Sequence, residues 1–264
     1  MRLGVLGWPV AHSRSPAMHN AALTAVGLHG WRYQLLPVPP QLLDETVPAL
    51  GRAGFRGANV TIPHKAAALA LATDQTERAA AIGAANTLTF EPGGEIVADN
   101  TDAPGLIAAL PFDAKGQTVV VLGAGGSARA VVWALVGAGA REVWIWNRST
   151  ARARKLAGEL GGAALASGVP PPGADILVNC TSVGLDGSDP FGPLPLTPDA
   201  LAGYRCVVDL VYTASGTRLV DAAAQRGVAT VDGLEILVAQ GALSFTRFTG
   251  LAAPLDVMRA AARG

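Results

Sequence analysis

The chain is short of charge. Only 15% of its 264 residues are ionic, split evenly into 20 Lys and Arg against 20 Asp and Glu. No net field is therefore available to gather nucleic acid or an acidic membrane surface, and no block of like charge supplies a local one. Cysteine is nearly absent. Cys180 and Cys206 stand without a CxxC or CxxH companion, which excludes a disulfide framework and a zinc site and leaves two reduced core thiols as the expectation. No charge-free run reaches the ~20 residues of a membrane span. The opening MRLGVLGWPV has too short an apolar core for a signal peptide, so a cytoplasmic protein is expected.

What remains is a well-buried α/β composition. Half of the residues are hydrophobic, and a mean hydropathy of +0.34 excludes disorder. The length suits two ordinary domains better than one large one. The 32 Gly and 18 Pro punctuate short apolar runs, with no internal repeat or low-complexity tract. Strands are expected over residues 3–7, 31–37, 57–61 and 86–90, with helices beginning at Ser15, Pro40, Ile62 and Thr76. That alternation predicts a first α/β unit with a mostly parallel sheet. The unbroken run QTVVVLG at 117–123 opens a second unit, with further strands at 142–146, 176–180, 206–210 and 228–231. From Gly233 onward, Leu234, Leu237, Val238, Gly241, Phe245 and Phe248 recur at helical spacing.

The second unit starts with a chemical signal. Its first strand ends at Gly123 and passes through Ala124, Gly125, Gly126 and Ser127 into a helix, with Ala128 at the third small position. Glycines there let the backbone turn tightly and approach a pyrophosphate, while the helix N-terminus offers unpaired N–H groups and partial positive charge. A bare tight turn is the plainer reading of such a pattern, and the following strand weighs against it. That strand delivers Asn147, 24 residues beyond Gly123, where a ribose-reading residue belongs. An NAD site wants a carboxylate there. This chain has Asn147, Arg148 and Ser149, then Arg152 one helical turn on, and cations suit a 2′-phosphate. NADP is expected over NAD, unless both arginines are simply solvated.

Four segments elsewhere offer polar groups at element ends. In HSRSP, Ser15 reads as a helix N-cap with Pro16 behind it, and the hydroxyls of Ser13 and Ser15 could hold a carboxylate near the helix dipole. A capped helix alone explains the fragment equally. In GANVTIPHK, a strand carrying Asn59 and Thr61 runs into a helix expected to have Pro63 at its first position and Lys65 in its first turn. Lys65 is either a surface lysine or a proton carrier; His64 is expected to be merely exposed by the same turn. Asn86 begins a strand, and Thr101 or Asp102 could cap the helix after DNTD. Asp102 could also partner Lys65, favouring the ammonium that the helix dipole disfavours. Tyr212 ends a strand where a phenol could reach a ligand. Gln240 lies about 120° from the Leu234 direction on its helix, off the main apolar stripe, where it could meet hydroxyls or solvent.

Taken in order, HSRSP, GANVTIPHK, GAANT, DNTD, GAGGSARA, NRSTAR, DLVY and DGLEILVAQGA resemble the shikimate dehydrogenase family over roughly residues 4–245. The resemblance implies an N-terminal catalytic α/β domain (1–102), a Rossmann NADP-binding domain (103–232) and C-terminal helices (233–264) that return to the first domain. It implies Lys65 and Asp102 as the catalytic pair, with Ser13 and Ser15 on the substrate carboxylate. Asn59, Thr61, Asn86, Tyr212 and Gln240 would surround the rest of the substrate. For NADP it implies Gly123, Ala124, Gly125, Gly126, Ser127 and Ala128, the cluster of Asn147, Arg148, Ser149 and Arg152, and Leu210 with Gly233 near the nicotinamide. Two departures appear: Ser149 stands where the family usually has Thr, and Leu210 where Met is frequent.

The activity so implied is reversible NADPH-dependent reduction of 3-dehydroshikimate to shikimate, on the route to chorismate and aromatic amino acids. Proton transfer would run through Lys65 assisted by Asp102, with no metal. A quinate/shikimate dehydrogenase using NAD or NADP is the nearest alternative, and a non-catalytic sensor of NADPH or a shikimate-like acid is one of a different kind. Nucleic acid and membrane are not expected partners. No motif encodes the oligomeric state, and a homodimer is carried as the expectation.

Overall fold

A computed structural model describes residues 1–166, 168, 171–213 and 215–264. The chain forms two compact α/β units, Met1–Gly105 with Leu237–Gly264, and Leu106–Ile236. Both divisions fall inside helices, a few residues beyond the boundaries drawn after 102 and 232, because the first turn of each helix packs with the unit that precedes it.

The first unit is built on strands β1 (Arg2–Gly7), β2 (Arg32–Pro37), β3 (Phe55–Val60), β4 (Asp74–Gln75), β5 (Thr87–Phe90) and β6 (Ile96–Asp99). They lie side by side in the order β2-β1-β3-β5-β6-β4. β1 runs parallel to β2 and β3, and β4 is parallel to β6. β5 runs antiparallel to both β3 and β6. The hairpin that reverses it turns on Glu91, whose N–H bonds the Glu95 carbonyl and whose carbonyl accepts from Gly94. β4 and β6 were not anticipated; β6 sits in a short run behind Pro92-Gly93-Gly94, a turn signal that marks a hairpin.

Helices α1 (Ser15–Ala25), α2 (Leu43–Arg52), α3 (Lys65–Ala70), α4 (Glu77–Ile82) and α5 (Asp102–Ala109) connect these strands. Their ends correct four expectations. Helix α1 has Arg14 at its N-cap with no side-chain bond, and it is the Ser13 hydroxyl that accepts from the Ser15 N–H, at 3.3 Å. Helix α3 starts at Lys65, with His64 as its cap, because the His64 N–H donates to Thr61 O at 2.9 Å and closes a tight turn ahead of it. Helix α5 is capped by neither Thr101 nor Asp102. The Asn100 side chain accepts from the N–H groups of Asp102 and Ala103. Helix α2 likewise follows a short 3-10 turn, Pro40–Leu42, instead of starting at Pro40. Thr76, where a helix was expected to begin, is the N-cap of α4 and accepts from the Ala79 N–H.

The second unit carries β7 (Thr118–Leu122), β8 (Glu142–Trp146), β9 (Ala163–Ala164), β10 (Ile176–Asn179), β11 (Cys206–Asp209) and β12 (Ala229–Val231), with α6 (Gly126–Gly137), α7 (Thr150–Leu160) and α8 (Arg218–Ala224). All neighbouring strands are parallel, in the order β12-β11-β10-β7-β8-β9. That is the doubly wound Rossmann order, with its switch point between β7 and β10. Val119, Val120, Val121 and Leu122 are fully buried, as expected for a strand covered on both faces.

The C-terminal helices α9 (Gly233–Thr249) and α10 (Leu255–Arg263) close the chain, the latter packing on α1. Along α9 the apolar stripe meets the first sheet: a Cβ on Gly57 would collide with the Phe248 ring. Phe245 approaches His19, which stacks on Tyr33 with centroids 4.3 Å apart and planes within 2°. His19 is fully buried with neither ring nitrogen hydrogen-bonded. Burial drives its pKa from 6.5 down to about 3.

The native state therefore refuses a proton that the unfolded chain accepts. His19 stabilises fully above pH 6.5, and that contribution is lost as pH falls from there toward 3. His19→Phe keeps the stack and removes this loss. Thermal melting at pH 7 and pH 5 should show a smaller acid-side fall in Tm for the variant than for the parent; equal falls would contradict the assignment.

Candidate active site

The reversal of β5 determines what meets at one edge of the first sheet. β1 and β3 both end there, and β5 begins there because Thr87 pairs with Asn59 near the end of β3. Thr87 also pairs with Asp99, the last residue of β6. Residues just after β3, just before β5 and just after β6 thus gather at a single edge: Lys65, Asn86 and Asp102. Backbone bonds complete the junction, from the Val60 N–H to Asn86 O (2.7 Å), from Asn86 to Asp99 O (3.1 Å) and from Ala85 to Lys65 O (2.9 Å). Asp99 pins the end of β6 through Arg78, at 2.8 and 2.9 Å, and Arg247, at 3.3 Å.

Lys65 Nζ stands 2.6 Å from Asp102 Oδ2, both side chains largely buried with 11% and 13% exposure. The other carboxylate oxygen, Oδ1, accepts from Asn86 Nδ2 at 2.7 Å. Asn86 Nδ2 also faces Thr101 Oγ1 (2.9 Å) and Gln240 Oε1 (3.1 Å), so three acceptors compete for two N–H bonds. On its other side, Asn86 Oδ1 accepts from the Thr101 N–H at 2.7 Å, which fixes the amide's orientation. Gln240 is buried, and its Nε2 donates to Leu237 O at 2.8 Å. It is held there by Gly105, where a Cβ would lie 2.8 Å from the Gln240 backbone nitrogen. The arrangement gives an ammonium whose carboxylate partner cannot turn away, because a fixed amide occupies its second oxygen.

The remaining first-unit candidates follow the ends of β1 and β3. Thr61 donates its N–H to Leu6 O at 2.8 Å, and its methyl leaves no room for a Cβ on Gly7. Ser13 is partly exposed and Ser15 buried at the start of α1. Asn59 is buried and its amide is fully engaged: Oδ1 accepts from Tyr33 (2.8 Å) and Ser244 (3.3 Å), and Nδ2 donates to Asn86 O and Thr87 Oγ1, both at 3.2 Å. His64 is not exposed as its turn suggested. It is 1% exposed with Nε2 2.7 Å from Val38 O, because the tight turn points its ring beneath the sheet edge.

In the second unit every cofactor candidate follows the carboxyl end of a parallel strand. Gly123 closes β7 at φ +115°, where a Cβ would press on the Cys180 carbonyl at 3.2–3.3 Å. Gly125 is the N-cap of α6, exposed, with open space where a side chain would stand. Ala124, Gly126 and Ser127 are partly exposed around it, and Ala128 is buried in the core. After β8, Asn147 donates to Ser149 O at 3.0 Å. Arg148 and Arg152 are exposed and join no ion pair among the described residues. This donor set fits a phosphorylated dinucleotide: helix N–H groups for the pyrophosphate and two uncommitted guanidiniums beside the ribose position.

Leu210 and Tyr212 leave β11 partly exposed. Their segment is seated on both sides. Beneath it, buried Asp209 accepts from Thr217 (2.7 Å), Asn179 (2.9 Å) and the Val211 N–H (3.1 Å). Burial raises the Asp209 pKa to about 6, even though those three hydrogen bonds pull it down. Alongside, Gly233 opens α9 so close that a Cβ would stand 2.5 Å from Val211 O. Gly233 is required by this backbone contact whatever else it does.

Thr87, Thr101, Tyr33 and Asn100 were missed as site residues. Asn100 and Thr101 carried a signal, lying inside a polar DNTD segment at an element end. Tyr33 carried none, since a buried aromatic on a strand reads as core.

These features define a class: a two-unit α/β oxidoreductase whose second sheet is built to bind a dinucleotide. Comparison with known proteins narrows it. Residues 5–88 match the family described as "Shikimate dehydrogenase substrate binding domain", 107–170 "Shikimate / quinate 5-dehydrogenase", and 233–263 "Shikimate 5'-dehydrogenase C-terminal domain". A shikimate dehydrogenase (NADP(+)) of Methylobacterium radiotolerans is 46% identical, over 94% of this chain and 91% of its own. The crystal structure of shikimate 5-dehydrogenase from Thermus thermophilus, in complex with NADP(H) and shikimate, superposes with a TM-score of 0.86 at 40% identity, over 100% of this chain and 98% of that one. A ligand-free 5-ketofructose reductase of Gluconobacter matches with the same TM-score at 32% identity, covering 99% and 97%. The chain belongs to the shikimate dehydrogenase family.

Among the described residues, no helix is long and apolar enough to cross a membrane.

Proposed function

We propose that the chain catalyses the reversible NADPH-dependent reduction of 3-dehydroshikimate to shikimate, a step toward chorismate and aromatic amino acids. The observation that carries this reading is the Lys65–Asp102 pair, held at 2.6 Å with Asn86 on the second carboxylate oxygen. NADPH, when bound, supplies the hydride that turns the ring carbonyl carbon into an alkoxide centre. Lys65 gives its ammonium proton to that oxygen and takes it back in the oxidative direction. Asp102 keeps Lys65 aimed and accepts from a neighbouring substrate hydroxyl.

The other first-unit groups bind and orient. Ser13 already accepts from the Ser15 N–H, which leaves its own O–H free to donate to the substrate carboxylate near the N-terminus of α1. Ser15 and Thr61 offer hydroxyls at the same sheet edge, and Gln240 keeps one amide N–H for a ring hydroxyl. Asn86 can exchange its longest bond, that to Gln240, for substrate. Asn59 has no capacity left and acts from behind. In the second unit the turn 123–128 serves the pyrophosphate, and Asn147, Arg148, Ser149 and Arg152 serve the 2′-phosphate side. Leu210, Tyr212 and Gly233 serve the nicotinamide and substrate. A homodimer in the cytoplasm completes the proposal; the two buried free thiols suit a reducing compartment.

Quinate is the second substrate to weigh, because the profile over 107–170 names it beside shikimate. Initial rates of shikimate and quinate oxidation with NADP and NAD, followed by nicotinamide absorbance, separate the two. A sensor would bind without turnover, and has no use for a proton-transfer pair.

Lys65→Ala should cut turnover by roughly 10² or more with little change in shikimate KM; near-normal turnover would contradict the assignment. Arg148→Ala should lose NADPH use selectively, leaving NADH use close to that of the parent. Equal losses with both cofactors would remove the 2′-phosphate contact from the account.

A further inference from the structure

Behind the Lys65–Asp102 pair runs an unbroken series of hydrogen bonds in one direction. Tyr33 Oη donates to Asn59 Oδ1 at 2.8 Å, and Asn59 Nδ2 donates to Thr87 Oγ1 at 3.2 Å. Thr87 donates to Asn86 Oδ1 at 2.9 Å, and Asn86 Nδ2 donates to Asp102 Oδ1 at 2.7 Å. Lys65 meets Asp102 from the other side. Backbone groups fix the direction of the two amides, and the Thr87 hydroxyl between them, which also lies 3.3 Å from Thr101 Oγ1, receives from one and donates to the other. Asn59 must turn its Nδ2 toward the Asn86 carbonyl, which leaves Oδ1 for the phenol. Asn86 must turn Oδ1 toward the Thr101 N–H, which leaves Nδ2 for the carboxylate.

We propose that Thr87 and Tyr33 are positioning residues for proton transfer, acting through Asn59 and Asn86 to keep an N–H bond on Asp102 and so hold its other oxygen against Lys65. The proposal rests on the reading of Lys65 and Asp102 as the proton-transfer pair. Thr87 is the decisive link. It is fully buried, and its single hydroxyl both receives from Asn59 and donates to Asn86. Tyr33 is set just as firmly. Its backbone N–H and C=O are both held by the Asn20 side chain at 2.9 Å, and its ring is stacked on His19. Aligned donors polarise one another in a buried site, so a break in the middle weakens the last bond. Because Thr87 and Tyr33 are buried, at 0% and 1% exposure, and spend their hydroxyls on this network, substrate affinity should be little affected.

The test compares Thr87→Val, Thr87→Ser, Tyr33→Phe and Lys65→Ala in the intact enzyme, with shikimate and NADP. Thr87→Val keeps the shape and loses the hydroxyl; it should lower kcat by about tenfold with shikimate KM within about twofold. Thr87→Ser keeps the hydroxyl and should stay within about twofold of the parent in both constants. Tyr33→Phe removes the first donor without touching Thr87, and should lower kcat by about threefold at unchanged KM. The proposal is overturned if Thr87→Val retains parental kcat, or if Thr87→Ser falls as far as Thr87→Val, which would mark a packing effect. Should Thr87→Val show no cooperative melting, folded Tyr33→Phe decides, and parental kcat there overturns the proposal. Near-normal kcat in Lys65→Ala would instead sink the underlying reading, so the two failures are distinct.

Discussion

A lysine and an aspartate 37 residues apart in the chain lie within hydrogen-bond distance after two strands that run the same way, and the amide that holds the aspartate reaches them because the strand between runs against both. In a fully parallel sheet the residues preceding a strand lie at the edge opposite to those following it. The antiparallel β5 removes that separation, so Asn86, which precedes it, shares an edge with Lys65 and Asp102, which follow β3 and β6. The hold on the Asp102 carboxylate depends on this reversal. The amide that fixes the carboxylate, the cap that starts α5 and the Asp99 anchor are all consequences of β5 and β6 closing on β3. A buried ion pair of this kind contributes little net stability.

The second unit obeys the complementary constraint. All its strands are parallel, so every loop after a strand opens at one edge, and the dinucleotide candidates need no special reversal to meet there. Two glycines in it are set by close backbone approach: Gly123 against Cys180, at positive φ, and Gly233 against Val211. The guanidiniums of Arg148 and Arg152 stay uncommitted in solvent, while those of Arg56, Arg78, Arg129 and Arg226 are tied to carboxylates. Uncommitted cations after the second strand of such a sheet are what an additional phosphate requires.

The second unit was the more legible of the two from sequence. Its strands are covered on both faces and read as continuous apolar runs, and its glycine turn announces itself at the end of the first. The first unit was legible in its parallel half only. The β5–β6 hairpin hid behind a short loop, and without it the sequence does not place Asn86 or Asp102 beside Lys65; opposite charge suggested Asp102 as a partner for Lys65, and the family resemblance assigned the pair. Caps were misassigned for a related reason. Ser15, Thr101 and Asp102 are all good cap residues, and only tertiary packing decides that Ser13 and Asn100 take the role. His64 was misread because a tight turn's exposure cannot be told from its residues, and Tyr33 because a buried phenol and a buried phenyl look alike until its partner is seen.

The central claim is that Lys65 and Asp102 act as one device. A double-mutant cycle with Lys65→Ala, Asp102→Asn and the combined variant measures this directly through kcat for shikimate oxidation. If the two act together, the combined variant will turn over within about threefold of the slower single variant. If instead the two losses multiply, the residues work independently and the account fails.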